Sequence, residues 1–239
     1  MAAGWLRLVL EQAGLPVQVV NNEQVAAGDL EQFLDVLVLP PIPATVLVGG
    51  PSRRGVVPLP EQYRRGIGAE GVAAIHRFIR SGGVVIGFQT SAEWLAETLE
   101  IGVENELRGR GQDQFHCPGA LLAIQVDQDH PTGWGLPARP AAMVEGSFGF
   151  RTHPVPAAPS TRAVVARFPD EELLLSGWIR GEEHLRRRAA VVEAQVGQGR
   201  VVLFSFAPFF RGQTRVTLPL LLNAVFNAGL DQTPVEPQD

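Results

Sequence analysis

The chain contains 239 residues, of which 45% are hydrophobic and 19% are charged, and its formal net charge is −5. This length and apolar content are enough for one large domain or two small ones with a buried core. A net negative charge does not produce the positive electrostatic potential that attracts nucleic acid, so we expect no nucleic-acid partner. All basic residues are arginine, which excludes chemistry that needs a lysine, such as Schiff-base formation or P-loop phosphate binding.

Cysteine content and hydropathy limit the class of protein further. The single cysteine, Cys117, excludes an internal disulfide and a cysteine-rich zinc site. No run of about 18 or more apolar residues occurs, so we expect no membrane-spanning segment. The first residues lack the regions of a signal peptide. We therefore expect a soluble domain, although its parent protein can still be exported through a signal upstream of Met1.

The first part of the chain alternates between helix and strand patterns. Residues 5–14 predict a helix that ends at its glycine, and residues 17–20 predict a short strand. The continuous apolar run at 34–39 predicts a strand buried on both faces of a parallel sheet. Residues 70–80 predict an amphipathic helix that leads into a strand at 84–88. This alternation is typical of α/β architecture.

Between these elements, residues 40–68 are rich in Pro, Gly and Arg and predict a long loop. After the strand at 84–88, Ser91 is the expected N-cap of a helix over 92–99. None of the histidines has the spacing of a zinc site such as His-x-x-Glu. We therefore expect no metal site and no cofactor.

The second half is rich in short β patterns. Runs of this kind occupy residues 121–126, 142–148, 162–168 and 173–178. Gly197-Gln198-Gly199 separates two longer runs at 189–196 and 200–206, which predicts a hairpin. A last helix is expected at 218–228, packing through Leu221, Leu222, Val225 and Phe226. We expect a single domain over 1–229 and a disordered tail over 230–239.

The turn after the strand at 84–88 is the first place to look for catalytic residues, because nucleophiles and ligands lie at the carboxyl ends of strands in α/β sheets. The segment reads Gly87-Phe88-Gln89-Thr90-Ser91. A class I glutamine amidotransferase has Gly-x-Cys-x-Gly there, so Gln89 takes the place of the nucleophile. An amide cannot attack a carbonyl. Thr90 or Ser91 remains as a substitute, although a helix cap explains Ser91 more simply.

Other candidates for chemistry are Cys117 and the residues around the aromatic turn at 208–210. His116 and Cys117 are neighbours on an extended chain and should point to opposite faces, so a structural role for Cys117 is favoured over a catalytic one. Arg211 and Gln213 follow a strand end and are candidates for binding a carboxylate or a partner loop. The alternative is that Arg211 holds the turn through backbone carbonyls.

Four segments together resemble one family: "GWLRLVLEQAGLPVQVV…DVLVLP", "GIGAEGVAAIHRFIRSGGVVI", "FHCPGALLAIQVDQDHPTGWGLP" and "LLLSGWIRGEEHLRRRAAVVEAQVGQGRVVLFSFAPFFRGQT". They are similar to the glutamine amidotransferase-like domain at the C-terminus of bacterial zinc carboxypeptidase-like proteins. The resemblance implies a flavodoxin-like, mostly parallel sheet between helices, without the amidotransferase cysteine and attached to a peptidase. It also implies that the first strand is missing, since the chain starts at the Gly-Trp helix.

These observations support three functional hypotheses. The first is a non-catalytic accessory or interaction domain, whose partner is a peptidase domain in the same or a neighbouring chain, or a second copy. The second is a small-molecule or peptide binding module at the carboxyl edge of the sheet, with Gln89, Glu93, Arg211 and Gln213 as the binding residues. The third, least favoured, is a hydrolase that uses Ser91 or Cys117 with His116 or His130 as base.

Overall fold

The computed structural model of the chain describes residues 1–51, 64–153 and 162–229. Its α-helices in the described ranges are α1 (Ala2–Gln12), α2 (Asn22–Ala27), α3 (Ala44–Gly49), α4 (Gly68–Arg80), α5 (Thr90–Thr98) and α6 (Leu218–Phe226). The strands are β1 (Val36–Leu39), β2 (Val84–Phe88), β3 (Val103–Asn105), β4 (Ala120–Ala123), β5 (Gln125–Val126), β6 (Ala141–Val144), β7 (Phe150–Thr152), β8 (Arg162–Arg167), β9 (Leu174–Gly177), β10 (Ala189–Val196) and β11 (Gly199–Phe204).

The main sheet has the order β1-β2-β11-β10-β7-β3, with β8 paired to β10 and β5 paired to β8. Its parallel pairing is confined to β1, β2 and β11. The remaining strands extend it antiparallel, beginning with the predicted hairpin of β10 and β11, in which Val196 pairs with Gly199. A second sheet, β6-β4-β9, is antiparallel throughout. The predicted β-rich second half is therefore confirmed.

Hydrophobic cores lie on both faces of the main sheet. On β2, the side chains of Val84, Ile86 and Phe88 enter the core that also contains α1, α6 and the second sheet. Val85, between them, enters the opposite core with α4 and α5. This alternation follows from the twofold periodicity of a strand. The expected α/β fold, a large sheet between helices, is confirmed. The sheet is mixed, however, and not mostly parallel as the resemblance implied, because the β-rich second half adds its strands antiparallel.

One predicted strand is wrong. Residues 17–20 belong to no strand, and no backbone hydrogen bond joins them to another described residue. The prediction for β1 also needs correction, because its residues alternate between half-buried and buried positions instead of being buried on both faces. Residues 17–20 and 36–38 line one open groove, and among the described residues β1 has a strand partner, β2, on one side alone.

Several boundaries and contacts differ from those expected. Residues 44–49, placed in a long loop, form α3, and part of that loop, residues 52–63, lies outside the described residues. Ser91 lies within α5, whose N-cap is Gln89. The buried face of α6 is formed by Leu220, Leu221 and Ala224, and Phe226 is exposed. The predicted tail, residues 230–239, also lies outside the described residues.

The end of α1 behaves as the sequence predicts. Gly14 has φ +77, and Leu15 N donates to Leu10 O immediately after it, a backbone geometry that glycine adopts without steric cost. Within the described ranges, no helix combines the length and apolar content needed to cross a membrane.

Candidate functional site

The candidate site is the sharp turn between β2 and α5, at the carboxyl end of the parallel strands. Gln89 lies in this turn with φ +49 and ψ −112, a conformation that side-chain-bearing residues rarely adopt. A β-carbon on Gly87 would lie 2.7 Å from the Leu95 side chain and 3.0 Å from the Ala92 backbone. Only glycine therefore allows α5 to pack this closely against β2. The strand–turn–helix context predicted from the sequence is confirmed.

The Gln89 side chain is buried, with 7% of its surface exposed. Its amide Nε2 donates a hydrogen bond of 2.8 Å to the backbone carbonyl of Glu145, in the segment that follows β6. Its backbone N–H donates to Phe204 O at 2.7 Å. The turn is thus fixed on one side to the end of β11 and on the other to the second sheet. The residue in the place of a nucleophile acts as a hydrogen-bond donor.

Two hydroxyl groups that the sequence patterns did not single out for binding complete the site. Thr90 Oγ1 and Ser205 Oγ are buried and have no hydrogen-bond partner among the described residues. Ser205 follows β11 directly, as Gln89 follows β2, and the paired register of Phe88 with Phe204 places the two strand ends side by side. Ser205 could have been recognised as a candidate site residue from the sequence, because it is the first polar residue after a strand of apolar residues.

Of the other predicted binding residues, Glu93 is joined to this turn through its backbone N–H, which donates to Gln89 O at 2.9 Å. Arg211 and Gln213 make no described hydrogen bond with the turn. Glu93 lies one helical turn beyond Gln89, and its carboxylate accepts a hydrogen bond of 2.6 Å from Arg108 Nε. Arg211 has φ +51 and is exposed, with its guanidinium carbon 5.3 Å from the ring centroid of Phe210. No described hydrogen bond connects it to a backbone carbonyl, which contradicts the interpretation that it braces the turn. Gln213 is exposed and makes no described side-chain hydrogen bond.

The aromatic turn beside Arg211 is largely buried. Phe209 is buried, and its ring packs edge-on against Phe88, with 4.8 Å between the ring centroids. Phe210 is half-buried. The turn therefore contributes to the core beneath Gln89 and does not form an exposed aromatic surface.

Ser91 is committed to a structural contact. Its Oγ donates to the carbonyl of Pro40 and accepts a hydrogen bond of 3.2 Å from Ile42 N. These bonds join the first turn of α5 to the loop after β1. The hydroxyl lies within a helix and has no described histidine partner, so it lacks the activation that a nucleophile requires.

Cys117 is equally unsuited to nucleophilic attack. It is 2% exposed, and its Sγ lies 3.3 Å from the carbonyl of Val144. Burial raises the pKa of the Cys117 thiol, with a smaller contribution in the same direction from the Glu145 carboxylate. A raised pKa keeps the thiol protonated at neutral pH. The neighbouring His116 packs instead against Trp178, with ring centroids 5.6 Å apart, so the predicted divergence of the two side chains is confirmed.

The remaining histidines interact with residues other than Ser91 and Cys117. His130 Nδ1 accepts a hydrogen bond of 3.2 Å from Thr132 N and so braces the loop in which it lies. His76, on α4, lies 3.2 Å from Thr98 Oγ1. His153 and His184 pair with Glu104 and Glu183. Among the described side chains, no group of three or more His, Cys, Asp or Glu residues is arranged to hold a metal ion.

Solved structures provide the comparison for this architecture. A cytoplasmic protein from Salmonella typhimurium is 16% identical and covers 94% of this chain and 86% of its own, with a TM-score of 0.58. A GMP synthase-type protein from Thermoplasma acidophilum is 13% identical, covers 95% and 88%, and has a TM-score of 0.55. A ThuA-like protein from Parabacteroides merdae is 13% identical, covers 99% and 88%, and has a TM-score of 0.53.

The chain therefore has a glutamine amidotransferase-like fold. No protein-family model matches it, and the search of curated proteins finds no relative. Sequence identities this low relate the chain to its neighbours by fold alone. The comparisons do not connect the chain with a zinc carboxypeptidase. Within this fold, the buried amide at the β2–α5 turn is the feature that bears most directly on the chemistry of the chain.

Proposed function

We propose that this chain is a non-catalytic accessory domain of the type attached to zinc carboxypeptidase-like peptidases. One observation carries the proposal: Gln89 occupies the strained turn at the end of β2, and its amide is bonded to the Glu145 carbonyl. An amide has no lone pair basic enough to attack a carbonyl carbon. A strained turn that holds such a group serves the packing of the domain or the binding of a ligand.

The groups that could replace the missing nucleophile support the same proposal. A hydrolase needs a nucleophile within hydrogen-bond reach of a base. The Ser91 hydroxyl is bonded to backbone groups, the Cys117 thiol is buried with a raised pKa, and the described histidines contact other residues. These observations support a non-catalytic domain. The role we propose for it, support or positioning of a peptidase domain in the same or a neighbouring polypeptide, rests on the sequence resemblance to the domain that zinc carboxypeptidase-like proteins carry.

Mass spectrometry of the protein from its own cell tests the accessory role. We expect peptides that extend upstream of Met1 into a catalytic domain with a His-x-x-Glu zinc motif, or stable co-purification of a peptidase with that motif. The measurement to add is peptidase turnover with and without this chain. A native protein that carries no such domain, together with peptidase turnover that is unchanged by adding this chain, would overturn the assignment.

An activity assay tests the non-catalytic part separately. We expect ammonia release from glutamine and hydrolysis of p-nitrophenyl esters to be no faster than with heat-denatured protein. Ser91→Ala and Cys117→Ala serve as matched controls because each removes one candidate nucleophile. Turnover in the unmodified chain that either substitution abolishes would show that the domain is an enzyme.

A binding module at the same turn is the second candidate, and the unpartnered hydroxyls of Thr90 and Ser205 favour it. Buried hydroxyl groups without a partner are costly, so a bound polar ligand that satisfies them would be stabilising. Together with the Gln89 amide they would suit a neutral polar ligand. A thermal-shift screen with amino acids, peptides and sugars tests this, with the Ser205→Ala variant as control. No shift with any of these ligands would count against it.

A further inference from the structure

Three arginine side chains converge on one carboxylate at the β3 end of the main sheet. The carboxylate belongs to Glu106, which directly follows β3, and it lies 3.3 Å from Arg151 Nη1. Arg110 Nη2 and Arg188 Nη2 each lie 3.8 Å from the same carboxylate. Because one small group contacts all three guanidinium groups, these groups are neighbours of one another. We call the three side chains the arginine cluster.

The charges around the arginine cluster do not balance. Glu106 supplies a single negative charge for three positive ones. Glu104, the nearest carboxylate on β3, pairs with His153 instead, with 3.0 Å between Oε2 and Nε2. Among the described residues, no salt bridge joins the cluster to another carboxylate. Even when Glu104 is counted, the cluster therefore keeps a net positive charge.

The contacts of the cluster with Glu106 are also long. A hydrogen bond between a guanidinium and a carboxylate is about 2.7 to 2.9 Å long, and none of the three distances is that short. Arg108, by contrast, has its Nε 2.6 Å from the carboxylate of Glu93. In addition, Arg188 Nε is buried and has no hydrogen-bond partner among the described residues. The cluster thus has N–H donors in excess of the acceptors around it.

The backbone that carries the cluster is fixed by hydrogen bonds. Asn105 Oδ1 accepts from Gly149 N, and Asn105 Nδ2 donates to Ser147 O. Glu106 N donates to Gly149 O at 2.9 Å. A β-carbon on Gly149 would lie 3.3 Å from Arg188 Cβ, so the segments that carry Glu106 and Arg188 are in contact. The guanidinium groups are therefore brought together by the fold.

Partial burial distinguishes the cluster from ordinary surface arginines. Arg187 is 74% exposed and has its own acidic partner, Asp170. The side chains of Arg110, Arg151 and Arg188 are 28%, 48% and 30% exposed and share one acid. Charge interactions are stronger where water is partly excluded, and a dissolved ligand can still reach these groups. Surplus positive charge in such a setting favours an anionic ligand.

We propose that the arginine cluster binds a phosphate monoester. A phosphate group carries about −1.5 to −2 charges at neutral pH and offers three strong acceptor oxygens. Its charge offsets the surplus of the cluster, and guanidinium groups bind phosphate oxygens through paired N–H donors. A carboxylate ligand has less charge and fewer oxygens, so it leaves part of the surplus unsatisfied. A neutral ligand would offset none of it.

Phosphate binding here requires neither the accessory role nor a neutral ligand at the β2–α5 turn. The residues of the cluster lie outside that turn, after β3, on β7 and before β10. Failure to find an associated peptidase would leave the phosphate site unaffected. Equally, a chain that binds no phosphate could still support a peptidase.

A titration of the ¹⁵N-labelled full chain with phenyl phosphate, followed by NMR at constant ionic strength, tests the site. We expect saturable shifts with a Kd of about 1 mM or lower. Benzoate is the matched control ligand, because it has the same ring with a carboxylate, and it should bind about tenfold more weakly. Equal binding of the two ligands, or no binding of phenyl phosphate, would overturn the proposal.

Arginine variants assign the binding to the cluster. Arg151→Gln removes one of the three guanidinium groups and should weaken phenyl phosphate binding about tenfold or more. Arg187→Gln is the matched control, because it removes the same charge beside the cluster from a residue paired with Asp170. Its affinity should stay within about twofold of the unmodified chain. Equal affinities of the two folded variants would show that binding is not located at the cluster.

Glu106→Gln tests the site in the opposite direction. The carboxylate competes with the ligand for the three guanidinium groups, whereas the amide keeps its size without its charge. We expect phenyl phosphate to bind about threefold tighter or more, because repulsion between two negative groups is removed. Weaker or unchanged binding in the folded variant would overturn the proposal.

A phosphoserine peptide flanked by serines distinguishes the two sources of a phosphate monoester, a small molecule and a modified polypeptide. We expect the peptide to bind within about threefold of phenyl phosphate, which assigns recognition to the phosphate group itself. A peptide that binds more than about tenfold tighter, and is weakened equally by Arg151→Gln, would identify a phosphorylated polypeptide as the source.

Discussion

The side-chain amide of Gln89 donates a 2.8 Å hydrogen bond to the backbone carbonyl of Glu145. This contact links the β2–α5 turn to the second sheet, because Glu145 follows β6 directly. In a catalytic elbow the corresponding side chain must be free to reach a substrate. Here it is used to join two parts of the core.

The first prediction separates the hydrogen bond from the backbone strain at Gln89. Gln89→Ala should lower the free energy of unfolding by about 2 kcal/mol, because the Glu145 carbonyl loses its partner. Gln89→Gly loses the same bond but carries no β-carbon at φ +49, so it should be about 1 kcal/mol less destabilised than the alanine variant. Urea denaturation measures both. A glycine variant less stable than the alanine variant would show that the turn is unstrained.

The second prediction concerns the buried ion pair of Arg200 and Glu193. Their charged atoms are 3.5 Å apart, Thr132 Oγ1 donates to Glu193 at 2.8 Å, and Arg200 Nε and Nη2 have no described partner. Arg200→Met should cost about 3 to 5 kcal/mol because it leaves a carboxylate buried without its cation. The double variant with Glu193→Leu should recover to within about 1 kcal/mol of the unmodified chain. Additive effects in this double-mutant cycle would show that the pair is not coupled.

The third prediction is a pH dependence at His76. Burial, followed by repulsion from Arg80 on the same helix, lowers the pKa of His76, and Thr98 on α5 is its hydrogen-bond partner. The unfolded chain then takes up the proton at a higher pH than the folded chain. The contribution of His76 to the free energy of unfolding is fully present above the pKa that His76 has in the unfolded chain. It is lost as the pH falls through the lower pKa that His76 has in the folded chain.

Two measurements check the behaviour of His76. An NMR titration of its ring protons should give a midpoint below the ordinary histidine value. In His76→Gln, which can keep a bond to Thr98, the loss of stability between about pH 7 and pH 5 should be smaller than in the unmodified chain. An identical loss in both proteins would mean that His76 does not contribute.

The fourth prediction follows from the raised pKa of Cys117. Because burial disfavours the thiolate, the unfolded chain releases the proton at a lower pH than the folded one. The contribution of Cys117 to the free energy of unfolding is fully present below the pKa that the thiol has in the unfolded chain, roughly 8.5. It is lost as the pH rises above that value and through the higher pKa of the thiol in the folded chain. Cys117→Ala should therefore lose less stability than the unmodified chain as the pH rises through this range, as measured by urea denaturation at a series of pH values.

Alkylation measures the same property of Cys117 directly. Iodoacetamide should label the native chain far more slowly than the chain in urea at the same pH, since the thiol is buried and protonated. Rapid labelling of the native chain would contradict both the burial and the structural role of this residue.

Parts of the fold follow from local patterns in the sequence. The helix ending at Gly14, the strand β2 and the hairpin at Gly197–Gly199 depend on periodicity and on glycine at turns, which are readable over a few residues. The β1 prediction located the strand but not its environment. Whether an apolar run is buried on both faces depends on which elements lie beside it, and the sequence of the run contains no such information.

The candidate site was also predicted only in part from the sequence. Sequence reasoning identified the turn and its amide, since Gly87 and the strand–helix boundary are local features. It grouped Arg211 and Gln213 with Gln89 only because all three follow strands. The structure places Ser205 beside Gln89 instead, because the register of two parallel strands decides which residues meet at the edge of a sheet.

The sequence by itself determined the α/β class, the positions of most helices and strands, and the absence of a nucleophilic side chain at position 89, because these depend on residue type and short-range periodicity. Tertiary structure alone decided that Cys117 is buried and that the hydroxyls of Thr90 and Ser205 lack partners among the described residues. It also decided that residues 16–20 and β1 enclose an open groove. These properties arise from contacts between segments far apart in the chain, which no local pattern encodes.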